Sequence, residues 1–533
     1  MSSAPQPLPN DVESLKALVL EQAERNAQLA ESLQQSTARN THLEARVITL
    51  TEQLNLALAR RYAARSEKLS PDQLPLFDEA ETDAVSGAVD VDPEQGDGDA
   101  DTVEIAAHSR KKRGRKPLPD TLPRIEVVHE LPEAERICPH DGRVLKDIGE
   151  TVSEQLDIVP ATIRVIRHVR RKYACECGQC IRTAALAPQP IPKSLASPGL
   201  LAHVAVSKYQ DALPLYRQEQ ILERIGVEIP RATLANWMIR AGALIEPLIN
   251  LLRDTVLGYD IVSMDETPVQ VLKEPGRAAQ SKSYIWVQRG GPPDRPVVLF
   301  DYDPSRSAVV PKRLLAGYRG YLQVDGYAGY NGVIEENGLV AVGCMAHARR
   351  RFADAVKAQG RQKKAGIAPH ALGLIQKLYR IEKQARDFSA QDRQAYRDAH
   401  ARPVLEKLRD WVDAQLPQVP PRTASGEALA YLDEQWQRLT RYLDDGRLAI
   451  DNNLTENAIR PFVLGRKNWL FSDTVKGVGA SANLYSLIET AKLNGLEPYG
   501  YLREVFTRLP AADTVEDIEA LLPFNFANNP NHE

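Results

Sequence analysis

No run of about 18 apolar residues, enough to cross a bilayer, occurs anywhere in the 533 residues, and no basic stretch leads into an apolar core near the amino terminus. Neither a membrane span nor a secretory leader is expected, and the cytoplasm, in association with the nucleoid, is the expected location. Cysteine is scarce, with only Cys138, Cys175, Cys177, Cys180 and Cys344. Five are too few for a disulfide framework in a chain of this size, and three of them fall within six residues, which favours a metal or another local role. Net charge is slight, −4 at pH 7, so the sum conceals what the separate segments carry. Between Asp78 and Glu104 there is no base at all among the acids Asp78, Glu79, Glu81, Asp83, Asp90, Asp92, Glu94, Asp97, Asp99, Asp101 and Glu104. Such a stretch repels itself and is expected to be disordered.

What is present divides into modules, three or four at roughly 150 residues per domain. Residues 11–65 carry a heptad: Leu15, Leu29, Leu43 and Leu50 lie on one register, with Val19, Leu33, Val47 and Leu54 four residues further on. Asn26 and Asn40 share the second register, where polar core residues fix alignment and strand number. The pattern predicts a coiled coil and self-association, against a lone amphipathic helix folded onto the body. Residues 78–119 join the acidic run to Arg110-Lys111-Lys112-Arg113-Gly114-Arg115-Lys116-Pro117. Arg113, Arg115 and Lys116 suit either a minor-groove hook or a basic linker that touches phosphates without preference. Residues 120–185 read as short strands, such as Thr162 to Tyr173, bracketed by cysteines. Cys138 with His140 or Asp141, and Cys177 with Cys180, offer a tetrahedral zinc site in a small zinc-ribbon-like module; reduced, unligated thiols are the other reading. Over residues 194–250, a helix from Tyr216 to Arg224 ends at Ile225-Gly226-Val227, and a second starts near Pro230. That is the helix-turn-helix outline, shared with ordinary αα-hairpins; Arg231, Asn236 and Trp237 on the second helix are the candidates to meet DNA.

After Gly258 the pattern turns to strands. Ile261 to Leu272 holds Asp265 inside a β-rich run, Ser283 to Gln288 and Val297 to Phe300 follow, and Tyr321 to Val324 ends on Asp325. With helices expected from about Ser307 to Leu315 and from Met345 to Val356, and a strand from Leu339 to Val342, the order suits a ribonuclease H-like mixed sheet. An acid at a strand end more often caps a turn, yet two or three converging on one cleft can hold a pair of ions about 3.5 to 4 Å apart. Residues 357–445 read as a charged helical insertion, after which Asp451 can cap a helix bearing Asn453, Glu456 and Arg460 on one face. A plain ion pair between Glu456 and Arg460 also explains that face.

Taken together, Met264-Asp265-Glu266-Thr267, Val324-Asp325-Gly326-Tyr327, Cys344-Met345-Ala346-His347-Ala348-Arg349-Arg350, Asp451-Asn452-Asn453 to Arg460, and Gly465-Arg466-Lys467-Asn468-Trp469 resemble the large transposase of insertion sequence family sixty-six. The resemblance covers nearly the whole chain, from the zipper-like N-terminus to Ile518-Glu519-Ala520-Leu521-Leu522-Pro523. It implies a multi-domain α/β chain with a ribonuclease H-like catalytic core at 258–495, a C-terminal helical tail at 496–533, and an Asp, Asp, Glu triad on Asp265, Asp325 and Glu456. It implies two Mg²⁺ or Mn²⁺ ions on those acids, cleavage and strand transfer of DNA, and element ends and target DNA as partners, with small accessory proteins alongside. It also raises the case for zinc on Cys138, Asp141, Cys177 and Cys180, although Asp141 stands where the family more usually has cysteine. Arg349, Arg350, Arg351, Arg460, Arg466 and Lys467 are then placed to hold phosphates, Trp469 to stack on an unpaired base, and His347 to move a proton or contact DNA. Cys344 reads as a small buried residue rather than a nucleophile. The competing readings are a DNA-binding regulator on an inactive nuclease-like scaffold, which leaves intact acids at three motif positions unused, and an assembly scaffold, which leaves the β-rich core unexplained.

Overall fold

The structure is a computed structural model that describes residues 11–62, 163–174, 181–358 and 366–527. The acidic run, the basic stretch at 110–117 and the expected zinc ligands Cys138, Asp141, Cys177 and Cys180 lie outside these residues. Helix α1 (Val12–Tyr62) is continuous over 51 residues, and Val19, Leu29, Leu33, Leu43, Val47, Leu50 and Leu54 of the heptad registers are exposed along it. Residues 67–185 form a separate unit. In it the strand expected from Thr162 to Tyr173 is reduced to a hairpin of β1 (Lys172–Ala174) and β2 (Ile181–Thr183), Tyr173 facing Arg182. Residues 163–171 have no regular structure, and Val165, Ile166 and Val169 are exposed: among the described residues no second strand gives their alternation a face to bury.

Four helices precede the sheet: α2 (Pro198–Tyr209), α3 (Leu215–Glu223), α4 (Arg231–Leu244) and α5 (Glu246–Leu257). Ser197 caps the first through the Leu200 amide at 3.2 Å, with Pro198 at the position where its missing N–H costs nothing. Gly226, at φ +80°, makes the turn between α3 and α4. The sheet has the order β5-β4-β3-β6-β7. Strands β3 (Ile261–Lys273), β4 (Lys282–Gly290) and β5 (Val297–Asp303) form an antiparallel meander. After α6 (Val309–Leu314), β6 (Tyr321–Gln323) runs parallel to the first half of β3; after α7 (Asn331–Asn337), β7 (Val340–Val342) runs parallel to β6. Helix α8 (Met345–Ala358) leads into the insertion, helices α9 (Ile367–Gln384), α10 (Ala390–His400), α11 (Arg402–Gln415), α12 (Ala424–Glu434) and α13 (Trp436–Thr440). The chain returns as α14 (Asn453–Trp469), and β8 (Ser472–Thr474) pairs in parallel with the second half of β3.

Helix α15 (Val475–Leu493) covers the edge strand β5. Thr490 Oγ1 accepts from the Val298 amide and donates to its carbonyl, and Ser486 Oγ accepts from Phe300 at 2.8 Å, so hydroxyls replace a further strand. The same helix meets α4 with almost no separation: a Cβ on Gly242 would lie 2.6 Å from Ala480. Helices α2 to α5, the sheet, α14, α15 and the C-terminal α16 (Pro498–Arg508), α17 (Val515–Glu519) and α18 (Pro523–Ala527) therefore share one apolar core, in which Trp237, Trp286, Phe300, Tyr485 and Phe506 are buried. A second core, with Phe352, Ile375, Leu408 and Leu432, joins α8 to the insertion. Val342 of β7 belongs to this second core, and Ile261 of β3 and Tyr321 of β6 pack against it, so the two cores meet along that side of the sheet.

Candidate functional site

The acids converge through strand register. Ser263 pairs with Gln323, the last residue of β6, so Asp325, two residues past the end of β6, leaves the sheet beside Asp265 of β3, close enough for the two charges to interact. Between the pairings of β3 with β6 and with β8 its edge is open, and the start of α14 fills that gap: Asn452 Nδ2 donates to the Met264 carbonyl at 2.9 Å, one residue before Asp265. Gln323 Nε2 donates to the carbonyls of Ala449 and Asp451 at 2.8 and 2.9 Å. Asp451 accepts from the Asn453 amide and from the Tyr379 hydroxyl of the insertion; the helix cap expected of Asp451 is made from one position before the capping residue, Asn452. Glu456, one turn into α14, is thus referenced by buried side chains to both acid-bearing strands and to the insertion.

The electrostatics agree with this convergence. Burial, reinforced by the charges of Glu266, Glu456 and Asp325, pushes Asp265 up to about 7. Its Oδ1 accepts from the Glu266 amide at 2.8 Å, and Asp325 Oδ1 accepts from the Tyr327 amide at 2.9 Å. Glu456 Oε2 accepts from Arg350 at 3.2 Å, while Oε1 is buried without a hydrogen-bond partner, 3.7 Å from the equally unpartnered Nδ1 of His347. Burial holds His347 below its ordinary value against the opposing charge of Glu456. Cys344 is buried, its Sγ accepts from the Asn452 amide, and burial pushes its thiol up to about 12, so it is the inert residue its sequence context implied. Hard carboxylate oxygens that repel one another and leave one buried oxygen unsatisfied fit a divalent cation. His347, Cys344 and Glu456 also bring ligand atoms within 4.8 Å of one another.

The remaining predicted residues divide. Arg231, Asn236, Arg350, Arg460 and Lys467 are exposed, and Arg349 is half-buried. Trp237 does not face DNA: it is 4% exposed and belongs with Leu234, Met238 and Ala241 to the buried stripe of α4. Arg466 ties α14 to β3 through Thr267 Oγ1 and the Pro268 carbonyl. Trp469 is half-buried against the first core with Lys208 Nζ 3.9 Å over its ring, which places that lysine, lowered to about 8 by burial, where a base was expected to stack. Glu266, Arg306, Tyr330 and Gln323 were missed by sequence reasoning. Glu266 stood inside the quoted Met264 to Thr267 motif, and that was the one signal pointing to any of them.

With this geometry in place, the comparisons with known proteins are specific. A family model for the transposase IS66 family matches residues 193–480, and one for the IS66 C-terminal element matches 486–524. A zinc-finger binding domain of transposase IS66 matches 135–178, and a model described as transposase C of IS166 homeodomain matches 49–127. Uncharacterized protein y4qI of Sinorhizobium fredii is 34% identical over 546 residues, covering 97% of this chain and 98% of its own length. Uncharacterized protein y4jD of the same organism is 36% identical over 473 residues, covering 82% and 90%.

Proposed function

The chain belongs to the IS66 transposase family, and from that premise we propose that it binds the ends of a mobile element and cuts and joins DNA at Asp265, Asp325 and Glu456. The observation that carries this reading is the approach of Asp265, Asp325 and Glu456 to one another, Glu456 being carried by a helix whose leading residues Asp451 and Asn452 are fastened to β6 and β3. The antiparallel meander followed by two parallel strands supports a ribonuclease H-like core. When bound, two Mg²⁺ or Mn²⁺ ions would supply a polarised nucleophile and charge neutralisation at the leaving oxygen of an in-line displacement at phosphorus. The three carboxylates would hold them, Arg350 steadies Glu456, and neutral His347 beside Glu456 is available to accept a proton. The test is metal-dependent nicking of DNA carrying the flanking element ends, with any accessory proteins added. Binding without nicking would move the weight to an inactive helix-turn-helix regulator, whose exposed reading face is Arg231 and Asn236 on α4.

Two assembly features complete the reading. We assign self-association to α1, whose exposed heptad row has the length and pattern of a coiled-coil strand. Deleting residues 1–65 is expected to reduce the mass in solution to that of one chain and to abolish paired-end complexes; light scattering that finds the mass unchanged removes the assignment. Zinc is assigned to the cysteine module matched by the zinc-finger model, with Cys138, Asp141, Cys177 and Cys180 as ligands. Elemental analysis is expected to find one zinc per chain, lost in a Cys177→Ser, Cys180→Ser variant. Zinc-free purified protein that still binds DNA would sink it.

A further inference from the structure

Beside the acid cluster lies a built arrangement that neither the triad nor the family match accounts for. The Glu266 side chain is an acid only 2% exposed, adjacent in sequence to Asp265. Its Oε1 is gripped by Arg306, through Nε at 2.7 Å and Nη2 at 2.5 Å, and its Oε2 accepts from the Tyr330 hydroxyl at 2.7 Å. Both oxygens of Glu266 thus accept from protein donors, which sets it apart from Glu456, whose Oε1 has no hydrogen-bond partner. Arg306 itself is 42% exposed. Its guanidinium lies 4.0 Å from the Tyr327 ring, and the Tyr327 hydroxyl donates to the Arg306 carbonyl at 2.6 Å. Tyr327 also gives its amide to Asp325. Carboxylate, ring and backbone bond therefore fix Arg306 relative to both aspartates, while among the described residues Nη1 has no protein partner.

A salt bridge that served the fold alone would explain the Nε and Nη2 edge but not why a partly exposed guanidinium is held within electrostatic reach of Asp325 as well. A phosphodiester approaching Asp265, Asp325 and Glu456 meets net negative charge, and a fixed guanidinium edge is the donor best matched to phosphate oxygens. We propose that Arg306 is the binding site for one backbone phosphate next to the scissile bond, with Glu266, Tyr327 and Tyr330 as its positioning residues. The proposal rests on the reading of the acids as the DNA-cutting site. Arg350, on α8, contacts Glu456 as Arg306 contacts Glu266, so each arginine pairs with a different acid of the cluster.

The test is equilibrium binding of full-length protein to an element-end duplex over a salt series, in a Glu456→Gln background so that binding is read without cutting. Arg306→Ala is expected to weaken binding roughly tenfold, uniformly across sequences, and to lower the slope of log K against log salt by about one. Arg306→Lys keeps the slope, and Glu266→Gln, which frees the guanidinium from its carboxylate, weakens binding several-fold. In a set of duplexes each carrying one neutral methylphosphonate near the cut, one position is expected to cost wild-type Arg306 as much as Arg306→Ala does and to cost the variant nothing more. Unchanged affinity and slope in Arg306→Ala, or additive losses at every position, would overturn the proposal. So would loss of Mn²⁺ binding in Glu266→Gln equal to that in Asp265→Asn, since Glu266 would then be a ligand. Cutting that persists in the Glu456→Gln background shows on the same gels, and is the separate failure of the triad.

Discussion

Asp265→Asn, Asp325→Asn and Glu456→Gln are each expected to lower metal-dependent cleavage of element-end DNA by roughly 10³-fold or more, while binding to the same DNA survives. The substitutions are nearly isosteric, and each preserves the acceptor oxygen that the structure uses: the Glu266 amide on Asp265, the Tyr327 amide on Asp325 and Arg350 on Glu456. What they remove is charge that holds a cation, so the loss belongs to chemistry rather than to folding. A second consequence has the opposite sign. Asp265 in the folded chain is raised to about 7 from an ordinary 3.8, so the folded state favours its protonated form. The associated stability is fully present below about pH 4 and is lost as pH rises through about 7. Metal-free Asp265→Asn protein is therefore expected to melt a few degrees higher than metal-free wild type at pH 8, with the difference vanishing near pH 4. Mg²⁺ should raise the melting temperature of wild type alone. Equal melting temperatures at pH 8, with full cleavage retained, would show that this aspartate is an ordinary strand residue. Loss of cleavage in only two of the three variants would mean that the third acid is another residue.

Why the acids could be read from sequence, and their support could not, follows from the distance over which each signal acts. Asp265 and Asp325 each interrupt or end an apolar strand, a local pattern, and the meander, the helices and the insertion boundaries follow from similar periodicities. Their approach depends on pairing β3 with β6, some sixty residues apart, and Glu456 reaches them only after the whole insertion. Gln323 and Asn452 are polar residues in strand and loop whose partners are backbone carbonyls more than a hundred residues away; no spacing rule reveals them. Trp237 was misread although its signal was local. Leu234, Trp237, Met238 and Ala241 recur at helical spacing, and that stripe marks the core face rather than the groove-facing one. Trp469 was read by residue type, an aromatic among bases, when its neighbours in space are the first core and Lys208.

The largest stability effect is expected from Arg397, which hydrogen-bonds to none of Asp265, Asp325 and Glu456. It is 1% exposed on α10 and serves as the hub between the insertion and the segment that returns to the site. Nε and Nη2 pair with both oxygens of Glu382, at 2.9 and 2.6 Å, while Nη1 donates to the Tyr442 and Asp445 carbonyls and Nη2 to that of Leu448. Three carbonyls of the returning segment and one carboxylate on α9 thus depend on one guanidinium, and from Leu448 the chain passes directly to Ala449 and Asp451, whose carbonyls Gln323 holds. Arg397→Met fills a similar volume but leaves Glu382 charged and half-enclosed and three carbonyls unpaired, a change expected to cost ~3–5 kcal/mol. Because the chain has more than one core, the loss should appear locally: faster hydrogen exchange in α10 and residues 441–450, and proteolytic nicking there, with helices α2 to α5 unaffected. Adding Glu382→Leu should restore part of the stability by removing the stranded charge. Cleavage should fall with DNA binding intact, since Glu456 is reached through this loop and α4, the helix proposed to read DNA, is not. Exchange in 441–450 indistinguishable from wild type would mean that the second core, rather than Arg397, sets the approach of α14 to the acids.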